Sequence, residues 1–303
     1  MLSSPAMSLA RAALVTIRPH QWVKNLFVAV PLVFAKKLLD ESAIGITIVA
    51  VAAFCLLSSA VYVANDIVDR DRDRAHPLKC RRPIASGILP VRTAIVVAAV
   101  LAGIALSASV TIGSAFLGMA LLYLCLNVAY SWFLKEIPFL DVTTIAVGFL
   151  LRVLAGALAL SVPASPWLLA CTVLLAAFLG FGKRAHELTQ ATAAGLGGSQ
   201  LIGATRKVLV RYRPSHLRLA LYASAVLTTL AYVLYTKDSR TVSFFGHDLL
   251  WTAPFCAIGI GRFLVLATGR PHLSSPTEAM LLDVPFVANM ILWALAVIAL
   301  VYC

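Results

Sequence analysis

The run Asn65-Asp66-Ile67-Val68-Asp69-Arg70-Asp71-Arg72-Asp73 follows directly on an apolar stretch. Continued as a helix at about 100° per residue, it places Asp66, Asp69 and Asp73 within a sector of about 60°. Asn65 flanks that sector and Asp71 points nearly the opposite way. Three carboxylates on one stripe repel one another and cost helix stability. A divalent cation removes the repulsion, and Mg²⁺ characteristically binds one or two carboxylates together with waters and substrate phosphate oxygens. The stripe is therefore a candidate Mg²⁺–diphosphate platform. The competing reading is a solvated helix end laced with Asp–Arg pairs, because Arg70, Arg72 and Arg74 alternate with the acids. The residues downstream, His76-Pro77, Lys79, Arg81, Arg82-Pro83-Ile84 and Ser86-Gly87, shift the balance toward chemistry. From Asn65 to Arg92 seven basic residues oppose four acids, which suits a polyanion bridging metal and cations.

The elements that must hold this stripe are apolar. Of 303 residues 61% are hydrophobic and 13% charged, with a mean hydropathy of +0.92. Soluble domains are about 25% charged, so an ordinary cytosolic domain is excluded, as are a disordered chain and a disulfide scaffold. The net charge of +12 does not indicate nucleic acid in so apolar a chain. Apolar stretches recur at Trp22–Phe34, Ala43–Ala64, Ala94–Ile112, Ser114–Phe133, Val142–Leu160, Pro166–Phe181, Leu219–Tyr235, Leu249–Leu266 and Val284–Tyr302. The first reaches spanning length only when extended back through Ala12–Ile17, and the sixth is short and ends in Gly180 and Gly182. These give an all-α, polytopic membrane protein of about nine transmembrane helices. The segment Met1 to Pro19 lacks the apolar core of a removable signal peptide. Of the six cysteines four lie in apolar runs, and no spacing indicates a disulfide or zinc.

With nine spans, the side carrying the N-terminus collects twenty of the 25 Lys and Arg residues. The other side collects Lys36, Lys37, Lys237 and Arg240, and Arg152 lies within a span. The positive-inside rule places the first side in the cytoplasm. It also holds two long ionic loops, at about 65–92 and 183–218, in one transmembrane domain covering 1–303. Arg152 reads as functional, facing a polar cavity, or as an anchor paired with Asp141 or a backbone carbonyl. Lys135 reads as a ligand or as a snorkelling cation. Lys24 reads as a phosphate ligand, supported by Gln21 and Asn25 on its helix face, or as a topology charge. Lys183 and Glu187, at i,i+4, could also be a surface pair. Almost all charge at one membrane face argues against a transporter, which carries ionic residues near the midplane. A purely structural protein has no need of the acidic stripe.

Asn-Asp-x-x-Asp-x-x-x-Asp followed by His-Pro-x-Lys, Arg-Pro-Ile and Ser-Gly resembles the first aspartate-rich motif of the UbiA superfamily of intramembrane prenyltransferases. The resemblance covers essentially the whole chain and implies a UbiA-like bundle around a central cavity. It also implies that Asn65, Asp66, Asp69 and Asp73 bind Mg²⁺ and a diphosphate. Three further stretches resemble the superfamily's decaprenyl-phosphate phosphoribosyltransferase branch. They are Arg18-Pro19-His20-Gln21-Trp22-Val23-Lys24-Asn25, then Tyr130-Ser131 through Lys135 and Asp141 to Arg152, and Phe181-Gly182-Lys183-Arg184-Ala185-His186-Glu187. Where other members carry a second aspartate-rich motif, this chain has two cations, His186 and the single carboxylate Glu187.

That branch implies transfer of 5-phosphoribose from phosphoribosyl diphosphate to a polyprenyl phosphate in the plasma (inner) membrane, with diphosphate leaving. Asp66, Asp69, Asp73, Lys79 and Arg82 are the expected catalytic set. Lys24, Asn25, Asn65, Tyr130, Lys135, Asp141, Arg152, Lys183, Arg184 and Glu187 are the expected substrate-binding set. The partners expected are these two substrates and membrane lipids, without nucleic acid and with room for an oligomer. The alternative is a conventional prenyltransferase moving an isoprenoid from its diphosphate to an aromatic or other acceptor. The chain departs from the branch at Cys80, where a basic residue is usual, and over His272–Glu278. Ala191–Ser199 is rich in Gly, Ala and Thr and reads as a mobile loop.

Overall fold

The Asp40 carboxylate accepts hydrogen bonds from the Ser42 and Ala43 N–H groups, both at 3.0 Å, and starts a helix that runs unbroken to Val68. This N-cap satisfies donors that the helix itself cannot. The computed structural model describes residues 8–76, 79–193, 207–269 and 275–302. Its α-helices are α1 (Leu9–Ile17), α2 (Val30–Phe34), α3 (Glu41–Val68), α4 (Arg70–Arg74), α5 (Val91–Ile112), α6 (Ser114–Trp132) and α7 (Leu140–Ala159). There follow α8 (Pro166–Ala193), α9 (Lys207–Arg211), α10 (Pro214–Lys237), α11 (Ser239–Phe245), α12 (Ala253–Thr268), α13 (Pro276–Leu282) and α14 (Val284–Tyr302). Among the described residues eight helical segments are long and apolar enough to cross a membrane.

The N-terminal one of the nine expected spans differs in form: residues 18–32 run along α3 from the Asp66 end to the Ala43 end, but as an interrupted helix. α1 stops at Ile17, Pro19–Val28 is a 3₁₀ segment, and α2 resumes at Val30. Arg18 carries a positive φ of 54° and Pro19 lacks a backbone donor, so the first apolar stretch cannot continue as one α-helix. The sixth stretch is corrected the other way. Gly180 and Gly182 do not end α8, which continues to Ala193. A Cβ on Gly180 would lie 2.7 Å from Val142 Cγ1, and one on Gly182 would lie 2.4 Å from Phe263 Cε1. These glycines allow close helix approach, as small residues do in membrane bundles. The start of the expected 183–218 loop, including Ala191–Ala193, is therefore helix, while 194–206 and 270–274 lie outside the described residues, as does Pro77.

The chain divides into two compact units. One comprises Met1–Trp132 with Leu151–Pro163, and the other Phe133–Leu150 with Ala164–Cys303. α7 contributes to both. In the first unit Phe54 of α3 packs on Phe116 and Tyr123 of α6, with ring centroids 5.7 and 5.4 Å apart. A second cluster there joins Ala12, Val63, Ile84, Leu89 and Ala94. In the second unit Phe178 of α8 meets Phe263 of α12 edge-on at 5.1 Å, within a cluster that includes Leu217 and Leu221 of α10.

Candidate functional site

α3 delivers Asn65 and Asp66, and the helix then breaks for one residue at Asp69 (φ −86°, ψ 2°) before restarting as α4. The Asp73 N–H still bonds to the Asp69 carbonyl at 2.8 Å, so Asp66 and Asp73 remain on one face. Both are buried. Arg82 Nη1 lies 3.1 Å from Asp66 Oδ1 and 2.7 Å from Asp73 Oδ2. Arg18 Nη2 donates to the same Asp66 Oδ1 at 2.6 Å. The other two acids behave differently. Asp69 pairs with Arg72 at 3.7 Å and the exposed Asp71 with Arg74 at 3.8 Å, both at i,i+3. The solvated Asp–Arg ladder thus describes Asp69 and Asp71, and a buried ionic cluster describes Asp66 and Asp73.

Arg82 reaches the stripe because its loop is anchored. Ile84 and Leu89 are buried with Ala12, Val63 and Ala94, Arg74 Nε donates to the Ala85 carbonyl at 2.9 Å, and the Leu89 N–H returns to the Pro83 carbonyl at 2.9 Å. Gly87, at φ 84°, supplies the left-handed residue of that turn. Lys79 and Cys80 are half-buried in a short 3₁₀ turn, where the Lys79 N–H donates to His76 Nδ1 at 3.3 Å. Beside the stripe the Ser131 hydroxyl donates to Asn65 Oδ1, and Tyr130 is half-buried next to it. Among the described residues no group of three or more His, Cys, Asp or Glu side chains is arranged to hold a metal. Asp66 and Asp73 are nevertheless two carboxylates sharing one guanidinium nitrogen. Such a pair fits a hard cation completed by phosphate and water oxygens, the usual Mg²⁺ arrangement, and does not fit an all-protein cage.

A second buried network lies in the same unit. Arg152 Nε donates to Asn25 Oδ1 at 2.8 Å and Nη2 to the Tyr123 hydroxyl at 2.8 Å, with the guanidinium 4.7 Å from the Tyr123 ring centroid. Asn25 Nδ2 in turn faces Ser58 Oγ at 3.1 Å and Cys55 Sγ at 3.4 Å. Both ends of the Asn25 amide are engaged inside the protein, which makes Asn25 a partner of Arg152. Arg152 is anchored, but by Asn25 and Tyr123. Lys24 is half-buried in the 3₁₀ segment.

The second unit holds a third network. Arg184 Nε lies 2.8 Å from Asp141 Oδ2 and its Nη1 pairs with Glu187 at i,i+3. The Tyr212 hydroxyl donates to Asp141 Oδ1 at 2.6 Å and accepts from the Phe139 N–H at 2.7 Å. Burial, and then the carboxylate it donates to, push the Tyr212 phenol above its ordinary range. Arg184 is 1% exposed and Asp141 0%. Lys183, Lys135 and Glu187 are half-buried. Sequence reasoning missed Arg18, Tyr123 and Tyr212 as network members, since each acts through partners far away in the chain.

Residues 26–279 match the UbiA prenyltransferase family model, and the chain belongs to that family. It is 34% identical over 238 residues to a protein named decaprenyl-phosphate phosphoribosyltransferase from Corynebacterium glutamicum, covering 77% of this chain and 70% of that one. It is 31% identical over 293 residues to the protein of that name from Mycolicibacterium smegmatis, covering 93% and 89%. The fold matches a UbiA homolog from Archaeoglobus fulgidus solved with GPP and Mg²⁺, with a TM-score of 0.69 at 18% identity, covering 96% of this chain and 100% of that one.

Proposed function

We propose that this chain is a membrane polyprenyl-phosphate phosphoribosyltransferase that moves 5-phosphoribose from phosphoribosyl diphosphate to a polyprenyl (decaprenyl) phosphate and releases diphosphate. The observation that carries the reading is the buried Asp66–Arg82–Asp73 bridge, in which paired oxygen donors and a cation share one patch. The names of its relatives favour phosphoribose as the group transferred. The positive-inside distribution supports a plasma-membrane protein with the N-terminus and the stripe on the cytoplasmic side.

Asp66 and Asp73 would hold Mg²⁺, with Asn65 and Asp69 beside them. When bound, Mg²⁺ supplies Lewis-acid stabilisation of the charge on a diphosphate leaving group. Arg82 and Lys79 stabilise the same charge electrostatically as the bond from ribose C1 to the diphosphate oxygen breaks. A polyprenyl phosphate oxygen forms the new bond to C1 from the opposite face, inverting the centre. That oxygen is anionic at neutral pH, so no general base is required. Lys24 and Tyr130 are proposed phosphate contacts of the first unit, and Lys135 and Lys183 are proposed phosphate contacts of the second. Arg152, Asn25, Asp141, Arg184 and Glu187 hold their surroundings in place and act through neighbours.

The test is purified protein in detergent with labelled phosphoribosyl diphosphate and polyprenyl phosphate, with and without Mg²⁺. The expected result is a labelled lipid that requires the metal. Transfer from a prenyl diphosphate with no phosphoribosyl transfer makes the chain a conventional prenyltransferase instead.

A further inference from the structure

Arg18 occupies a backbone position that suits another residue. It terminates α1 at φ 54°, ψ 62°, a left-handed conformation in which a Cβ is strained and glycine is the usual helix terminator. Pro19 follows, and a proline pushes the residue before it toward extended geometry. Such a conformation persists where surrounding contacts over-determine it. Here the contacts belong to the side chain. Its guanidinium reaches Asp66, 48 residues along the chain, at 2.6 Å and lies 5.4 Å from the Tyr62 ring centroid. The contact is not sealed, because the Arg18 side chain is 26% exposed against 5% for Asp66. Asp66 also keeps a second cation, Arg82, on the same oxygen.

We propose that Arg18 is a displaceable counter-cation and a diphosphate-binding residue. Without metal it neutralises Asp66. When a divalent cation takes that carboxylate, the guanidinium turns onto an oxygen of the incoming diphosphate. Both guanidinium groups crowd Oδ1 of Asp66, and a divalent cation on that carboxylate repels the guanidinium beside it, Arg18 first because Arg82 is also held by Asp73. The diphosphate brings the charge that receives the released arginine, whose planar fork matches phosphate oxygens. The inference rests on the metal–diphosphate site proposed above. A residue needed only to end α1 would be served by glycine.

The test compares wild type with R18G and R18K, purified in detergent. R18G keeps the left-handed turn and relieves its strain, while R18K keeps the charge and loses the fork. Mn²⁺ alone is titrated by electron paramagnetic resonance, and inorganic diphosphate is titrated calorimetrically at saturating Mn²⁺. R18G is expected to bind Mn²⁺ alone about tenfold tighter, its competitor being gone, and diphosphate about tenfold more weakly, a ligand being lost. R18K is expected to show smaller shifts of the same two signs, and it carries the test by itself if R18G does not yield folded protein. A purely structural Arg18 moves both affinities together or neither. Either pattern, in a protein whose wild type binds both probes, overturns the inference and leaves the site reading standing. A wild type that binds neither probe overturns both.

Discussion

The two ionic clusters that contain buried aspartates differ in who closes them. Around Asp66 and Asp73 the carboxylates are buried while their arginines keep contact with the surface, Arg18 at 26% and Arg82 at 31% exposure. Around Asp141 the arginine is as buried as the acid, and Tyr212 closes the remaining carboxylate oxygen. An arginine at the rim can leave and let another cation in. A sealed one cannot without opening the core, and removing one partner of a sealed pair strands the other. The first cluster is accordingly built for exchange and the second for holding α7, α8 and the Phe139 turn. Charge alone does not separate them; access to the cation does.

The largest effect that would sharpen this contrast is on turnover. Asp66→Asn or Asp73→Asn should lower phosphoribosyl transfer by about 10²–10³-fold, as loss of a leaving-group stabiliser does, while Asp71→Asn should stay within about twofold. Equal losses in all three would erase the distinction between stripe and ladder. The next effect is on stability. Arg184→Leu should cost about 3–5 kcal/mol in detergent unfolding, and millimolar Mg²⁺ should not restore it. Arg82→Leu should also destabilise, since it strands Asp73 and leaves Asp66 to Arg18 alone, but here Mg²⁺ should restore much of the loss. Matching responses of the two variants to Mg²⁺ would break the comparison.

A smaller effect is expected at Tyr212. Tyr212→Phe removes its bonds to Asp141 and to the Phe139 N–H, and should cost about 1–3 kcal/mol, with a pH dependence of unfolding unchanged below the ordinary phenol range. The smallest lies away from both clusters. Arg262 beside Asp283 (Nη2 to Oδ2 2.7 Å) holds that carboxyl below the ordinary carboxylate range. A depressed carboxylate stabilises the fold above its unfolded pKa, and that contribution is lost as pH falls through the folded value. Asp283→Asn should therefore flatten the acid limb of unfolding at and below the ordinary carboxylate range, measured by thermal scans across pH.

Much of this was legible in the residues, and the rest was not for a definite reason. Hydropathy placed eight of the spans closely, α5 and α6 with Gly113 between them included. Helical periodicity set Asp66 and Asp73 on one face and Asp71 away from it, and the first two are buried while Asp71 is exposed. Asp69, the one non-helical residue after Val68, also pairs with Arg72 at i,i+3. Periodicity paired Lys183 with Glu187 at i,i+4, and the structure adds Arg184, one position on, as a partner of that carboxylate. Neither the Arg18–Asp66 contact nor the Tyr212–Asp141 contact can be read from local pattern, since their partners are 48 and 71 residues apart. A cue did exist for Arg18, in that it stands before Pro19 where a helix must end.

Asp66 and Asp73 are proposed to form a metal-dependent diphosphate site. Its most direct measurement is calorimetric binding of inorganic diphosphate to the detergent-purified chain, with Mg²⁺ and with chelator, in wild type and in the Asp66→Asn/Asp73→Asn double variant. Wild type should bind diphosphate one-to-one only when Mg²⁺ is present, and the double variant should not bind it. Diphosphate binding of equal strength in both proteins, or undiminished by chelator, would contradict the proposal.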